Sequence, residues 1–447
     1  MPIGRRLSTL LLVLALVGAP AVVLRVFCVG NSCDAGSTEA RSAVPFCPLP
    51  ESLRRAIAAG FREGRSPDVM AATDGAGTVA TGFGDRVRVD WPGAAGGSDP
   101  TDARVPIVFL GAGVTPGTLP DGVRLDAIAP TLEAVAGVRR PHPDVRTGDA
   151  APGVIADGAR PAPLVVVIAW KGLGTPDLEE APGAWPFLRR AMRQGTGTTD
   201  ALTGSLPLDP AATLTTIGTG GLPSAHGITG TLLRGDDGTV RRAWSATGTG
   251  SVIATLADDL DAASEQRALV GAVLTEAADR GIIGDGWYLD SDDRDRVTRV
   301  AAPRRAGAAL QTMVTSRGFV DDGFTDVLGV VLDGRVREVD PATADVVEAV
   351  RAVVPDATFV IAGTGSLAAP EALDASDVVA AIDASVGAPV VAATAADGLF
   401  LDRGVLVDRA LTAQQVADAL GAERGPGGDR LFADVYPSFA VAFSRYC

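Results

Sequence analysis

Histidine is almost absent from this chain, with two in 447 residues, His142 and His226. Two imidazoles cannot build a metal centre that draws on three or so histidines, and the four cysteines form no cluster to replace them. Aromatic residues are scarce too, at 5% against a hydrophobic content of 47%. A core of this size has to be filled by Ala, Val and other small aliphatics, a composition that fits an α/β fold. Positive charge is the third shortage: 39 Lys and Arg face 54 Asp and Glu, a net charge of −15. With no basic stretch interleaved with aromatics, binding to a nucleic acid backbone or an anionic lipid surface is disfavoured. A Gly-x-Ser-x-Gly elbow is also missing. Ser205, Ser224 and Ser366 have no histidine placed to activate them, since His226 is too near Ser224 in sequence. There is no internal repeat and no heptad pattern.

What is present begins with a targeting segment. Arg5-Arg6 precede an apolar run from Leu10 to Leu24, so residues 1–29 read as a secretory signal or a signal anchor held through residues 8–27. Ala19-Pro20-Ala21 has the small-x-small form of a cleavage site, and cleaved and anchored forms both stay open. In either form the bulk of the chain lies outside the cytoplasm. Cys28 follows Arg25-Val26-Phe27, which are not the small residues of lipoprotein processing. All four cysteines lie beyond the apolar run, as an oxidising compartment would suit. They allow three pairings; Cys28 with Cys33 is the local choice and leaves Cys47 with Cys447.

After a polar linker over 30–47, Leu53, Ile57 and Phe61 recur at helical spacing within Leu49–Arg62. Residues 68–89 alternate like paired strands, and Val105–Leu110 reads as a strand entering GAGVTPG. That loop lacks the third spaced glycine of a dinucleotide site. A helix runs from about Thr131 to Val138, and Arg139–Pro163 is a Pro-, Gly-, Asp- and Arg-rich linker. Then comes a buried strand, Leu164–Ala169, a turn Lys171-Gly172-Leu173-Gly174, and a helix over Trp185–Gln194 with Pro186 at its start. Pro207, Thr219-Gly220, Pro223 and His226-Gly227-Ile228 follow. Further helices are expected at 251–260, 275–280, 341–353 with Asp340 as N-cap, 377–386, and 412–420 capped by Gly421. Strands are expected at 268–274, 326–332 and 358–362. The acidic run Asp285, Asp290, Asp292, Asp293, Asp295 lacks the Gly turn and closing Glu of a calcium loop and reads as a solvated loop.

The order strand, Gly turn, helix start, Thr-Gly, His-Gly-Ile resembles the alkaline phosphatase superfamily, in particular its type I phosphodiesterase and nucleotide pyrophosphatase branch. That resemblance implies a three-layer αβα sandwich with a mixed, mostly parallel sheet. It also implies an Asp at the strand end that binds Zn or Mn, and a Thr or Ser nucleophile at a helix N-terminus. Here Lys171 stands where that Asp belongs, and Asp209-Pro210 covers the nucleophile position. Gly96 takes the place of a histidine ligand, and Gly363 and Thr364 those of the Asp and His of a Ser-Asp-His-Gly motif. Asp333 is retained, with Arg337 where a histidine belongs, and His226 falls in a turn the family uses structurally.

The pieces also resemble the family in reversed order. Residues 48–138 match its C-terminal part and 164–447 its N-terminal part, which implies a circular permutation joined through 139–163. Cys47 and Cys447 then flank the new cut, and a disulfide between them would restore the lost connection. Two independent domains divided near residue 150 are the rival arrangement. The expected function is that of an extracytoplasmic pseudoenzyme without a cofactor, binding or scaffolding an envelope protein or a small anion. The alternatives are a metal-dependent phosphate or sulfate ester hydrolase with a displaced metal site, and a purely structural envelope module. Lys171, beside a helix N-terminus, is expected either to hold an anion or to neutralise Asp209.

Overall fold

The apolar run from Leu164 forms the centre of the molecule. In the computed structural model its side chains alternate between two buried faces: Val165, Val167 and Ala169 enter one core, Leu164, Val166, Ile168 and Trp170 the other. A strand covered on both sides has no polar face to mark, so it reads as an unbroken hydrophobic run. The structure describes residues 45–72, 79–82, 86–89, 103–245, 250–285, 287–288, 295–316, 318–367, 375–395, 398–424, 432, 434–444 and 447.

In chain order the strands of the two larger sheets are β1 (Val69–Ala72), β2 (Arg104–Gly111), β3 (Gly117–Thr118), β4 (Leu164–Lys171), β5 (Thr196–Leu202) and β6 (Val270–Leu274). They continue as β7 (Arg296–Arg299), β8 (Asp326–Asp333), β9 (Thr358–Gly363), β10 (Val391–Ala395), β11 (Gly398–Leu401) and β12 (Asp434–Pro437). The principal sheet has the order β7-β6-β8-β4-β9-β2-β5-β3. Its pairs are parallel except β9 with β2 and β2 with β5, so the sheet is mixed and mostly parallel. β2 lies in its interior, so the chain before residue 150 and the chain after it share one sheet.

Helices cover both faces. The helices of eight or more residues are α1 (Glu51–Gly60), α2 (Ile128–Val135), α3 (Pro186–Gln194), α4 (Pro210–Thr219), α5 (Leu256–Ala263), α6 (Ala306–Ser316), α7 (Val336–Arg351), α8 (Ala375–Val386) and α9 (Ala413–Ala422). Helices α2, α4 and α5 fill the face of Val165 and Val167, while α3, α6 and α7 fill the face of Val166 and Trp170. The result is the expected three-layer αβα arrangement. A second sheet, β10-β11-β1-β12, is antiparallel and packs against α8 and α9. β1 therefore pairs with β11 and β12, while the local hairpin expected over 68–89 is limited to Val79–Gly82 with Arg86–Val89.

Cys47 and Cys447 form a disulfide, with Cα atoms 5.2 Å apart. Beside it the Phe46 ring meets Tyr436 edge-on at 4.9 Å, and the Phe46 N–H donates to Asp434 Oδ2 at 2.8 Å. Residues 139–163 are pinned to the body. Arg140 ion-pairs with buried Glu133 at 3.2 Å and donates to the carbonyls of Gly148 and Thr219. Arg146 pairs with buried Asp259 at 2.5 Å, and Asp259 also accepts from the Tyr288 hydroxyl at 2.6 Å.

Some element ends differ from expectation. Helix α7 starts at Val336 and not at Pro341, because the Arg335 N–H donates to Glu338 Oε2 at 3.0 Å and closes a first turn upstream. Asp340 is thus inside α7 and caps a different helix: its carboxylate accepts from the N–H groups of Phe187 and Leu188, each at 2.9 Å, at the start of α3. Helix α5 begins at Leu256, behind the Thr255 cap and its Asp258 partner, and α9 continues past Gly421 to Ala422.

Candidate functional site

β4, β6, β8 and β9 all end at one edge of the sheet, the position where open α/β sheets place their ligands. The two-residue period of β4 turns Lys171 toward the same face as Val165 and Val167, the face covered by α4. β8 runs parallel and in register, so Asp333 is the direct neighbour of Lys171. After β6 the chain makes a 3-10 turn, Ala277–Ile282, that lies tight against α4. Glycines permit this approach, since a Cβ at Gly218 would stand 2.1 Å from the Gly281 carbonyl oxygen.

Lys171 is the only lysine of the chain. Its ammonium donates to Asp279 Oδ1 at 2.8 Å, to Glu276, and to Thr275 Oγ1 at 3.3 Å. Asp279 is held in turn, its Oδ2 accepting from the N–H groups of Thr275 and Glu276, each at 2.9 Å. Arg242 approaches Glu276 from outside at 3.6 Å. Burial by itself would push the Lys171 pKa down, but Asp279 and Glu276 outweigh it and raise the value, so the side chain stays an ammonium. Asp333 is shifted up by burial, with Lys171 opposing and Asp279 and Glu276 adding. The expected pairing of Lys171 with Asp209 is therefore replaced by pairing with Glu276 and Asp279. Those two carboxylates were missed in the sequence, although Glu276-Ala-Ala-Asp279 has the form of a capping box at the 3-10 turn.

Asp209 is buried and caps α4. Its Oδ1 accepts from the Ala211 N–H at 2.8 Å and from Thr231 Oγ1 at 2.9 Å, and its Oδ2 from the Thr231 N–H at 2.9 Å. Burial raises its pKa, against the pull of these donors. Pro210 occupies the first helical position, where its fixed φ suits the helix and its missing N–H costs nothing. The N-terminus of α4 is thus closed by a carboxylate of the chain itself.

At the end of β9 the backbone leaves no room for a ligand. A Cβ on Gly363 would lie 2.5 Å from the Leu173 carbonyl oxygen and 2.9 Å from Pro106 Cδ. Thr364 is buried, and its Oγ1 accepts the Gly172 N–H at 2.8 Å, fixing the turn after Lys171. Arg337 lies exposed in the first turn of α7. His226 is fully buried: Nδ1 accepts the Ile228 N–H at 3.0 Å and Nε2 faces Thr216 Oγ1 at 3.1 Å. Burial pushes its pKa down to about 3, so it is neutral and serves the turn. His142 lies in the 139–163 segment with a left-handed backbone. Asp285 and Asp295 both pair with Arg280 at 2.6 Å. Gly96, Cys28, Cys33, Asp290, Asp292 and Asp293 lie outside the described residues.

The family's zinc or manganese does not fit these residues. The strand-end position carries an ammonium, the Gly363 position cannot carry a side chain, and both nitrogens of His226 are engaged elsewhere. Among the described residues, no group of three or more His, Cys, Asp or Glu is arranged to hold a metal ion.

Residues 165–258, from β4 into α5 and including Lys171, Asp209 and His226, match the family model of the type I phosphodiesterases / nucleotide pyrophosphatases. Among solved structures the chain is similar to the wild-type alkaline phosphatase PafA at 14% identity and a TM-score of 0.47, over 59% of this chain and 77% of that one. A mutant of the same enzyme aligns at 14% identity and a TM-score of 0.43, over 58% and 76% of the two chains. No curated protein matches the sequence.

Proposed function

We propose that this protein is an extracytoplasmic, non-catalytic member of the alkaline phosphatase superfamily that acts by binding or scaffolding at the cell envelope. One observation carries the reading: the two charges that a metal and a phosphate would bring to such a site are already supplied by side chains. The ammonium of Lys171, at the strand end where the resemblance implies a metal-binding Asp, lies among carboxylates, and the carboxylate of Asp209 caps the helix N-terminus where the resemblance implies a bound phosphate. A substrate anion arriving at α4 meets Asp209, and Lys171 is already committed to Asp279 and Glu276. This favours a protein partner over a small anion at this position. The Cys47–Cys447 disulfide supports an oxidising compartment. The order of the segments is read as a circular permutation of the family's order, with 139–163 joining the former termini.

The test is hydrolysis of p-nitrophenyl phosphate, bis(p-nitrophenyl) phosphate and p-nitrophenyl sulfate by the purified chain with added ZnCl2 or MnCl2. The expected rates equal those of the protein-free control. Saturable turnover that disappears in both Lys171→Met and Asp209→Asn would instead make the protein a hydrolase with a displaced site.

A further inference from the structure

We infer that the cavity lined by Trp244 and Trp287 is a binding site for a neutral pyranose sugar. Neither Lys171 nor Asp209 lines it, so the inference goes beyond the proposed function and does not depend on whether the chain hydrolyses esters.

Two adjoining hollows, of about 520 and 280 Å3, share Trp244, Ser245 and Asp285 as a common wall. Their size is that of small-molecule sites, roughly 300–1,000 Å3. The chain has five tryptophans in 447 residues, and two of them line this one place. Both are held in position. Trp244 belongs to a small buried cluster with Ala211, Ile228 and Ala278, and its Nε1 donates to Thr215 Oγ1 at 3.2 Å. Its backbone is left-handed, at φ 56°, which costs a bulky residue energy and persists only where the surroundings impose it. Gly250 lines the smaller hollow, and a Cβ there would stand 3.4 Å from Trp244 Cζ3, so glycine leaves that side of the ring uncovered. Trp287 is 43% exposed, yet its N–H donates to Asp258 Oδ1 at 3.1 Å. The next side chain, Tyr288, is tied by its hydroxyl to Asp259 at 2.6 Å.

The polar groups of the wall select the ligand. Asp285 pairs with Arg280, which also holds Asp295, so guanidinium donors and a carboxylate acceptor stand side by side in the larger hollow. The vicinal hydroxyls of a sugar, each both donor and acceptor, match such a pair. Ser245 and Ser251 add hydroxyls to the smaller hollow. The C–H face of a pyranose ring is apolar and lies flat on an aromatic plane, which the tryptophans provide. Val297 and Arg299, two residues apart and so on one face of β7, line the larger hollow beside them. A phosphate-bearing ligand is opposed by the Asp285 carboxylate, whose side chain is 60% exposed, and by the net charge of −15.

The experiment titrates the full chain with maltotriose, chitotriose and mannotriose, and separately with AMP, followed by saturation-transfer NMR and tryptophan fluorescence. At least one trisaccharide is expected to bind with a Kd of about 1 mM or tighter. Trp287→Ala, which removes a half-exposed ring, is expected to weaken that binding about tenfold or more. Gly250→Ala places a methyl over the Trp244 ring at a position without left-handed backbone, and is expected to weaken it about threefold or more while the chain folds normally. Val407→Ala, at an exposed residue outside the cavity, is expected to bind as wild type does. No binding of any of the three sugars at about 10 mM would overturn the inference. So would sugar binding that Trp287→Ala and Gly250→Ala both leave unchanged, which would put the ligand elsewhere. AMP binding lost in Trp287→Ala, with no sugar bound, would overturn it in favour of a nucleotide. Ester hydrolysis by wild type would defeat the proposed function while leaving this inference standing, so the two failures are distinguishable.

Discussion

At Gly363 the backbone decides what the position can hold. The Leu173 carbonyl lies where a Cβ would go, so reinstating the family's acid there disturbs the strand end before any metal is considered. Gly363→Asp is expected to destabilise the fold by on the order of 4 kcal/mol, read from denaturant unfolding. A variant as stable as wild type would mean that Pro106 and the 171–174 turn yield easily. His226 gives a second residue-scale prediction. Its folded pKa, near 3, lies below the ordinary 6.5, so the unfolded chain binds the extra proton first. The stability conferred by keeping it neutral is complete above about pH 6.5 and is lost as pH falls toward 3. His226→Asn, whose Oδ1 can accept the Ile228 N–H, removes that titration. The stability of wild type relative to this variant should therefore shrink on acidification from pH 7 to pH 4; a difference flat with pH would mean that the ring is not buried in solution.

At the scale of elements, caps link helices that are remote in sequence. Asp340, inside α7, satisfies the first N–H groups of α3, more than 150 residues earlier. Asp340→Ala leaves two buried donors without their acceptor and should cost about 1–3 kcal/mol. Asp340→Asn, which retains an acceptor oxygen, should recover part of that loss in the same unfolding measurement. The sequence placed α7 too late because Asp-Pro is a frequent helix start, whereas the operative signal was Glu338 reaching back to the Arg335 N–H. The central strands were easier to read. Continuous Val and Ile runs bounded by Gly announced β4, β8 and β9 within a residue or two. The second sheet was harder, because β1 is short and its partners β11 and β12 lie over 300 residues away.

For the whole molecule, the 400-residue separation between Cys47 and Cys447 makes their disulfide a constraint on nearly the entire chain. In the chain-entropy account, Cys47→Ser/Cys447→Ser should lose up to about 5 kcal/mol of stability. The proposed permutation sharpens this prediction. A chain in which Cys447 runs directly into Pro48, opened between the exposed residues Gly158 and Ala159, restores the connection by a peptide bond. It is expected to refold to the same circular dichroism spectrum and near-wild-type stability without the Cys47–Cys447 disulfide. Failure of this chain to fold, with its Arg140 and Arg146 contacts left intact, would count against the permuted order.

The sequence by itself determined the fold class, the position of the central strand and the scarcity of histidine. These depend on local apolar runs and on residue identity, which need no partner to be read. It also singled out Lys171 and Asp209, at the positions where the resemblance implies a metal ligand and a nucleophile. Which groups would neutralise them it left open, because ion pairing depends on distance in space. The tertiary structure gave Lys171 to Asp279 and Glu276, carried there by a 3-10 turn about a hundred residues on, and gave Asp209 to Ala211 and Thr231. Only the packing of β9 against the 171–174 turn shows that Gly363 is a steric requirement, since a close backbone approach leaves no mark in a sequence.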